Sequence, residues 1–179
     1  LKGLAIMSKL AIFHDDDILR SVTEEFAKEG VEIVSSTLYL PELLAPEGCL
    51  TQRRPTKGEW TDIHFGWKIA KELGRLDIGQ SVVVRNKTVL ALEAIEGTDA
   101  TILRGGTLAR EKAVVVKVSK PKQDLRFDVP CVGMETIRVM SRIKGAVLAV
   151  EAGRTLMFDM NEMVKAADRE KIAIVAIER

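Results

Sequence analysis

Strands alternating with helices, with hairpins between them, predict an α/β fold: a single domain with a mixed sheet, β-hairpins and flanking helices. Three observations carry that expectation. The runs "AVVVKVS", "AVLAVEA" and "IAIVAI" are short, rich in Val, Ile and Ala, and bounded by charged or turn-forming residues, as buried strands are. Between them lie segments whose apolar residues recur every three or four positions, the helical spacing. "SVVVRNKTVLALEAI" reads as two strands around a tight turn at Asn86 and Lys87, an antiparallel hairpin in an otherwise alternating chain.

Element by element, "DDDILRSVTEEFAKEG" opens on acids and closes on Gly30. Ile18, Leu19, Val22 and Phe26 fall at helical spacing, which predicts a capped amphipathic helix over 15–29. "VEIVSST" follows as a predicted strand. Residues 38–58 hold Pro41, Pro46, Pro55, Gly48 and Gly58 among apolar residues, an irregular stretch of the kind that carries function or forms a lid. Thr56 and Glu59 have capping-box spacing. Trp60, Ile63, Trp67 and Ala70 then line one face of a helix that stops near Gly74, the Trp stripe reading as core. After the hairpin come a helix from about Thr98, a strand at 113–118 and a helix near 134–144. The "AVLAVEA" strand, a "TLMF" strand, a "NEMVKAADREK" helix and the "IAIVAI" strand complete the chain.

At 179 residues with 46% hydrophobic and 30% charged side chains, the chain can bury about 70% of its unfolded surface and falls among globular domains. A net charge of +1 argues against a nucleic-acid partner, which needs a marked cationic excess. Cys49 and Cys131 stand far apart with no C-x-x-C, which suggests a reducing, cytoplasmic setting and excludes a thiolate zinc site. No apolar run approaches the ~20 residues of a membrane span, so lipid contact is expected to be peripheral. The chain opens at Leu1 on "LKGLAIMSKLAIF", so residues 1–14 read as a linker or the remnant of a preceding N-terminal domain and residues 15–179 as the catalytic domain.

Chemistry concentrates at two strand exits. In "VLALEAIEG" period-two alternation sets Val89, Ala91, Glu93 and Ile95 on one face, so Glu93 either finds a cation, metal or donors or sits solvated on an edge strand. Gly97, Thr98 and Asp99 then open a helix. The glycine would let backbone N–H groups approach an anion, whereas Thr98 as a simple cap and Asp99 as a dipole partner explain the same residues. In the second exit, "KPKQDLRFDVP", an extended chain would point Asp124, Arg126 and Asp128 to one side and Leu125, Phe127 and Val129 to the other, with Lys117, Lys120 and Lys122 just before. Carboxylates that hold Mg²⁺ beside cations that neutralise phosphate oxygens suit phosphoryl or pyrophosphoryl chemistry, and a surface strip of mutual ion pairs suits the same residues. His14 and His64 are isolated, so histidine-rich two-metal centres and HExxH zinc sites are excluded, and neither a Walker loop nor a G-x-G-x-x-G occurs.

These motifs, "DIGQ", "EAIEGTD", "K-x-x-K-P-x-Q-D-x-R-x-D-x-P" and "EAG" in that order, resemble the catalytic domain of UDP-2,3-diacylglucosamine pyrophosphatases of the LpxI type over about residues 15–179. The resemblance implies Mg²⁺-dependent hydrolysis of a lipid-linked UDP-sugar to UMP and 2,3-diacylglucosamine 1-phosphate in lipid A biosynthesis. It implies catalytic roles for Asp124 and Lys120, substrate contacts from Gln80, Thr98, Lys117, Lys122, Gln123 and Arg126, and metal ligation by Glu93, Asp99 and Asp124. The apolar stretch 38–58 becomes a candidate wall for acyl chains, with peripheral contact at the inner membrane surface and room for a homo-oligomer. Two other functions compete: a hydrolase of a different nucleotide-diphospho substrate, and a non-catalytic module that binds a nucleotide-linked lipid.

Overall fold

Strands with no polar face must be covered on both sides, and the Val-rich runs are covered in this way in the computed structural model, which describes residues 15–178. The expectation for residues 1–14 lies outside the described residues. In chain order the elements are α1 (Asp15–Lys28), β1 (Gly48–Cys49), α2 (Lys57–Arg75), β2 (Ser81–Arg85), β3 (Thr88–Leu92) and α3 (Thr98–Ala109). Then come β4 (Val114–Lys117), β5 (Cys131–Val132), α4 (Met134–Arg142), β6 (Val147–Glu151), β7 (Leu156–Met157), α5 (Met160–Arg169) and β8 (Ala173–Ile177). The result is the expected single α/β domain with a mixed six-stranded sheet, ordered β1-β8-β6-β4-β2-β3, beside a two-stranded sheet of β5 and β7.

β4, β6 and β8 run parallel, and β2 joins β4 antiparallel with Ser81 opposite Lys117. Alternate residues of each strand feed two cores. Val83, Val115, Leu148 and Ile174 pack under α3, α4 and α5 with Ile102, Ile137 and Met163. Val82, Val84, Val116 and Val175 face the other way, toward α2 with Ile63 and Trp67. The Trp67 stripe is therefore core, as its spacing predicts. The capping box is formed in full: Thr56 accepts from the Glu59 N–H while the Glu59 carboxylate accepts from the Thr56 N–H. At the hairpin both Asn86 and Lys87 take positive φ (51° and 56°), the two-residue turn that matches strand twist. The buried Asp62 carboxylate of α2 accepts both turn N–H groups at 2.8 and 2.6 Å.

Three expectations are corrected. Residues 31–35 form no strand, since they pair with no strand of either sheet; Val31 and Val34 stay exposed and Ser36–Leu38 turns into a 3-10 helix. The segment 121–130 is not extended: Phe127 and Asp128 N–H groups return to the Asp124 carbonyl, so the alternating strip is replaced by a turn in which Arg126 folds onto Asp124 while Asp128 bonds Gln123. The alternation in "VLALEAIEG" ends with Glu93, and Ile95, predicted on its face, is fully exposed. The "TLMF" strand pairs with β5 rather than with the main sheet.

Gly79 fixes the approach of α2's exit to β3, since a Cβ there would lie 2.2 Å from the Glu93 carbonyl oxygen. Gly79→Ala is expected to cost about 1–3 kcal/mol through overpacking, a fall of ~2–4 °C in melting temperature per kcal/mol. Gly58→Ala, where nothing lies within 4 Å, is expected to leave the melt unchanged or raise it slightly; equal melts for the two variants would show that the Gly79 contact relaxes without cost.

Candidate active site

The pairing directions bring the carboxyl ends of β3, β4, β6 and β8 and the amino ends of β1 and β2 to one edge of the sheet. At that edge the chain leaves β4 toward β6 on one side while β2 and β3 lie on the other, the crevice where open α/β sheets bind ligands. The helices α3, α4 and α5 also begin there, and none has a side-chain cap: Gly97, Gly133 and Asp159 stand at the three N-cap positions without one. Orphan backbone N–H groups therefore point into the edge.

Thr98 is not the cap that one of its two readings made it. Its hydroxyl does not cap α3; it donates to Glu93 Oε1 (2.8 Å) and accepts from Lys117 Nζ (2.9 Å), with Ser81 Oγ at 3.4 Å. Glu93 is buried although β3 is an edge strand, and its second oxygen accepts from the Gln80 N–H at 3.3 Å. Gln80 buries a side-chain oxygen that has no partner among the described residues. The Lys117 ammonium, itself buried, also donates to the Cys131 carbonyl (2.9 Å), closing the neck of the loop 118–130. Asp99 lies half-buried in the first turn of α3 and makes no hydrogen bond or ion pair with the described residues. Glu96 turns away, to Arg104 of α3.

The loop folds back on itself. Asp124 is held by Arg126, whose Nε donates to Oδ1 at 2.9 Å and whose second guanidinium nitrogen donates to Oδ2 at 2.6 Å. Gln123 donates to Asp128 (2.5 Å), and Lys120 pairs with Asp77 at 2.6 Å; Lys122 is exposed. Ser35 donates to the Leu125 carbonyl, placing residues 31–40 alongside the loop, with Leu38, Tyr39 and Leu40 exposed.

One acid of this edge was not singled out from sequence. Glu151, the last residue of β6, is buried, and its carboxylate accepts from Lys71 Nζ (2.8 and 2.7 Å), the Ser119 N–H (2.7 Å) and the Ser119 hydroxyl (2.6 Å). Burial pushes this carboxyl up, but the bonds from Lys71 and Ser119 overcome it and hold the group below the usual carboxylate range. The signal was present: a glutamate ending a wholly apolar strand cannot be buried without donors. Lys71, hidden in the polar face of a long helix, carried none.

Among the described residues no three His, Cys, Asp or Glu side chains gather closely enough to hold a metal. Glu93, Asp99 and Asp124 share the edge without forming a cage. Nor does any described helix have the length and apolarity to cross a membrane.

Residues 46–175 match the model of the LpxI C-terminal domain family. The chain is also 36% identical over 188 aligned residues to the UDP-2,3-diacylglucosamine pyrophosphatase LpxI of Caulobacter vibrioides, covering 99% of the chain and 67% of that relative.

The Glu151 carboxylate yields a pH test. Its folded value is depressed, so its contribution to stability is present above the ordinary value of 4.5 and is lost as pH falls below that through the folded value. Glu151→Gln leaves Lys71 with a neutral partner, and because Lys71 is a quarter exposed the loss should sit at or below the low end of the ~3–5 kcal/mol seen for broken buried pairs. The stability gap between wild type and Glu151→Gln, from urea unfolding, is expected to be flat at neutral pH and to shrink below about pH 4.5. A gap independent of pH down to 3 would remove the charge from the account.

Proposed function

The chain belongs to the LpxI C-terminal domain family, and from that premise we propose that it hydrolyses the diphosphate bond of UDP-2,3-diacylglucosamine in lipid A biosynthesis, releasing UMP and 2,3-diacylglucosamine 1-phosphate. The observation that carries the assignment of the site is that two helices start without side-chain caps, at Gly97 and Gly133, while Lys117 touches the first residue of one and Cys131 just before the other. A diphosphate between them meets free N–H groups, favourable helix dipoles and a buried ammonium that has committed two of its three protons. Lys120, Lys122 and Arg126 on the loop 118–130 supply the remaining positive charge, Gln80 and Gln123 polar contacts, and Asp124, held in place by Arg126, orients the attacking water.

Mg²⁺ fits this donor set as a shared ion rather than a caged one, because Mg²⁺ keeps waters and substrate phosphates around one or two carboxylates. Asp99 makes no hydrogen bond or ion pair with the described residues, and a carboxylate beside a diphosphate needs a cation between them. Asp99, with Glu93 and Asp124 at the same edge, would hold the ion, which supplies charge neutralisation on the phosphoryl oxygens. Leu38, Tyr39 and Leu40, next to the loop, form the wall for acyl chains, and the edge meets the inner membrane surface peripherally to take an amphiphilic substrate.

The direct test is UMP release from UDP-2,3-diacylglucosamine with and without Mg²⁺, beside unacylated UDP-glucosamine. Turnover of the acylated substrate alone is expected; no UMP under any condition would overturn the assignment. Asp124→Ala is expected to abolish turnover with the melt unchanged, and wild-type-like release would return Asp124 to the surface. Asp99→Asn should raise the Mg²⁺ concentration for half-maximal rate while costing well under ~1 kcal/mol of stability; an unchanged Mg²⁺ dependence would leave Asp99 as a dipole partner only.

A further inference from the structure

Lys120, Lys122, Asp124 and Arg126 all ride on the loop 118–130, so their positions are set by how that loop leaves β4. The exit residue is Ser119, which is fully buried. Its N–H and hydroxyl both donate to Glu151 Oε2, at 2.7 and 2.6 Å, and its carbonyl accepts from Lys71 Nζ at 3.0 Å. Every polar group of Ser119 is thus gripped by one ion pair, whose members come from β6 and from α2 on the opposite face of the sheet. The next residue is fixed as well: Lys120 pairs with Asp77 after α2, its N–H donates to Gln123 Oε1 at 2.8 Å, and its Cα lies 3.1 Å from where a Cβ on Gly74 would stand.

We propose that Lys71 and Glu151 are positioning residues for the hydrolysis, holding the Ser119 peptide so that Lys120 and Asp124 meet the diphosphate in register. This rests on the hydrolase reading above. Neither residue has capacity left for substrate. The three ammonium protons of Lys71 are matched by the two Glu151 oxygens and the Ser119 carbonyl. Glu151 already accepts from four donor contacts, so both its oxygens are occupied and not free to take a proton from water, and being ionised it has no proton to give as a general acid. A purely stabilising role is met as well or better by apolar residues, since replacing a buried ion pair by hydrophobic side chains is often neutral or favourable. What an apolar pair cannot do is orient the three polar groups of one peptide next to a catalytic lysine.

The test uses Lys71→Met, Lys71→Arg, Ser119→Ala and the double variant Lys71→Met/Glu151→Leu, assayed on UDP-2,3-diacylglucosamine at saturating Mg²⁺ with melts and amide exchange alongside. Lys71→Met is expected to lower kcat about 10²-fold, the scale of an ångström of misplacement, with KM within about threefold and loss of exchange protection at residues 119–125. Lys71→Arg should regain most of kcat, and Ser119→Ala, which folds with only a hydroxyl removed, should show a smaller loss of the same kind. The double variant should recover the melting temperature without recovering kcat. Wild-type kcat in Lys71→Met or in the double variant, or a rise in KM with kcat unchanged, would overturn the proposal. A wild type without turnover would sink the hydrolase reading alone, and the exchange measurement would then still decide whether the pair holds the loop.

Discussion

Glu93, Lys117 and Glu151 are buried, yet they lie at or just past the ends of adjacent or nearby strands of one sheet. Each isolated charge in such surroundings would cost several kcal/mol. The edge is organised around meeting that cost. Glu93 is met by Thr98 and the Gln80 N–H, Lys117 by Thr98 and the Cys131 carbonyl, Glu151 by Lys71 and Ser119. Because the partners lie on the segments that leave the strands, satisfying the charges also fixes those segments. The loop 118–130 is pinned at Ser119 by Glu151 and at its neck by Lys117, so the segment between them is delivered to the crevice from two fixed points.

The same topology makes the two edges of the sheet electrically unlike. α3, α4 and α5 all start at the carboxyl edge and end at the other, so their orphan N–H groups gather on one side and their orphan carbonyls on the opposite one, while α2 runs the other way, from near Arg53 to Lys120. At the far edge a cavity of about 320 Å³ is lined by Arg53, Lys112, Lys144 and Lys171 with Glu111 and Glu170. Charge alone would suggest a second phosphate site there. The helix ends argue against it: Arg142 and Arg169 occupy the last turns of α4 and α5, and Lys144 and Lys171 follow them, where cations complement carbonyl dipoles that would repel a phosphate. On the proposed reading, the polarity of α3, α4 and α5, more than the count of lysines, sets which edge takes the anion.

What the sequence made legible follows from how local each signal is. The hairpin, the capping box at Thr56, the Trp67 stripe and the order of the strands and helices after residue 56 depend on neighbours within a few residues, and all are realised. The predicted strand "VEIVSST" failed because strand character without a pairing partner is not enough, and the extended strip at 121–130 failed because Asp124 closes a turn on its own segment. β1 and β5, of two residues each, carry no periodicity to read. At the site, the motifs marked Thr98, Lys117 and the loop, but whether Thr98 caps a helix or joins Glu93 turned on contacts across the sheet. Lys71 and Ser119 are invisible to spacing, since 48 residues separate them and only the fold makes them neighbours.

The spread of the acids along the edge has its own electrostatic logic. Two carboxylates about 4 Å apart repel by ~4 kcal/mol at an effective dielectric of 20, so on the proposed reading acids that would share a cation with substrate gain by standing apart before it arrives. Each takes a different holding partner: Glu93 a hydroxyl and a peptide N–H, Asp124 the guanidinium of Arg126, Asp99 the first turn of α3. The Arg126 pair is the informative one. A fork of guanidinium donors binds phosphate oxygens as well as it binds a carboxylate, so a diphosphate entering the crevice offers Arg126 an equivalent partner and frees Asp124 without leaving either charge bare. On the proposed reading, that exchange couples the arrival of the anion to the readiness of the acid, and it requires the loop's first residue to stay where Glu151 holds it while its middle changes partners.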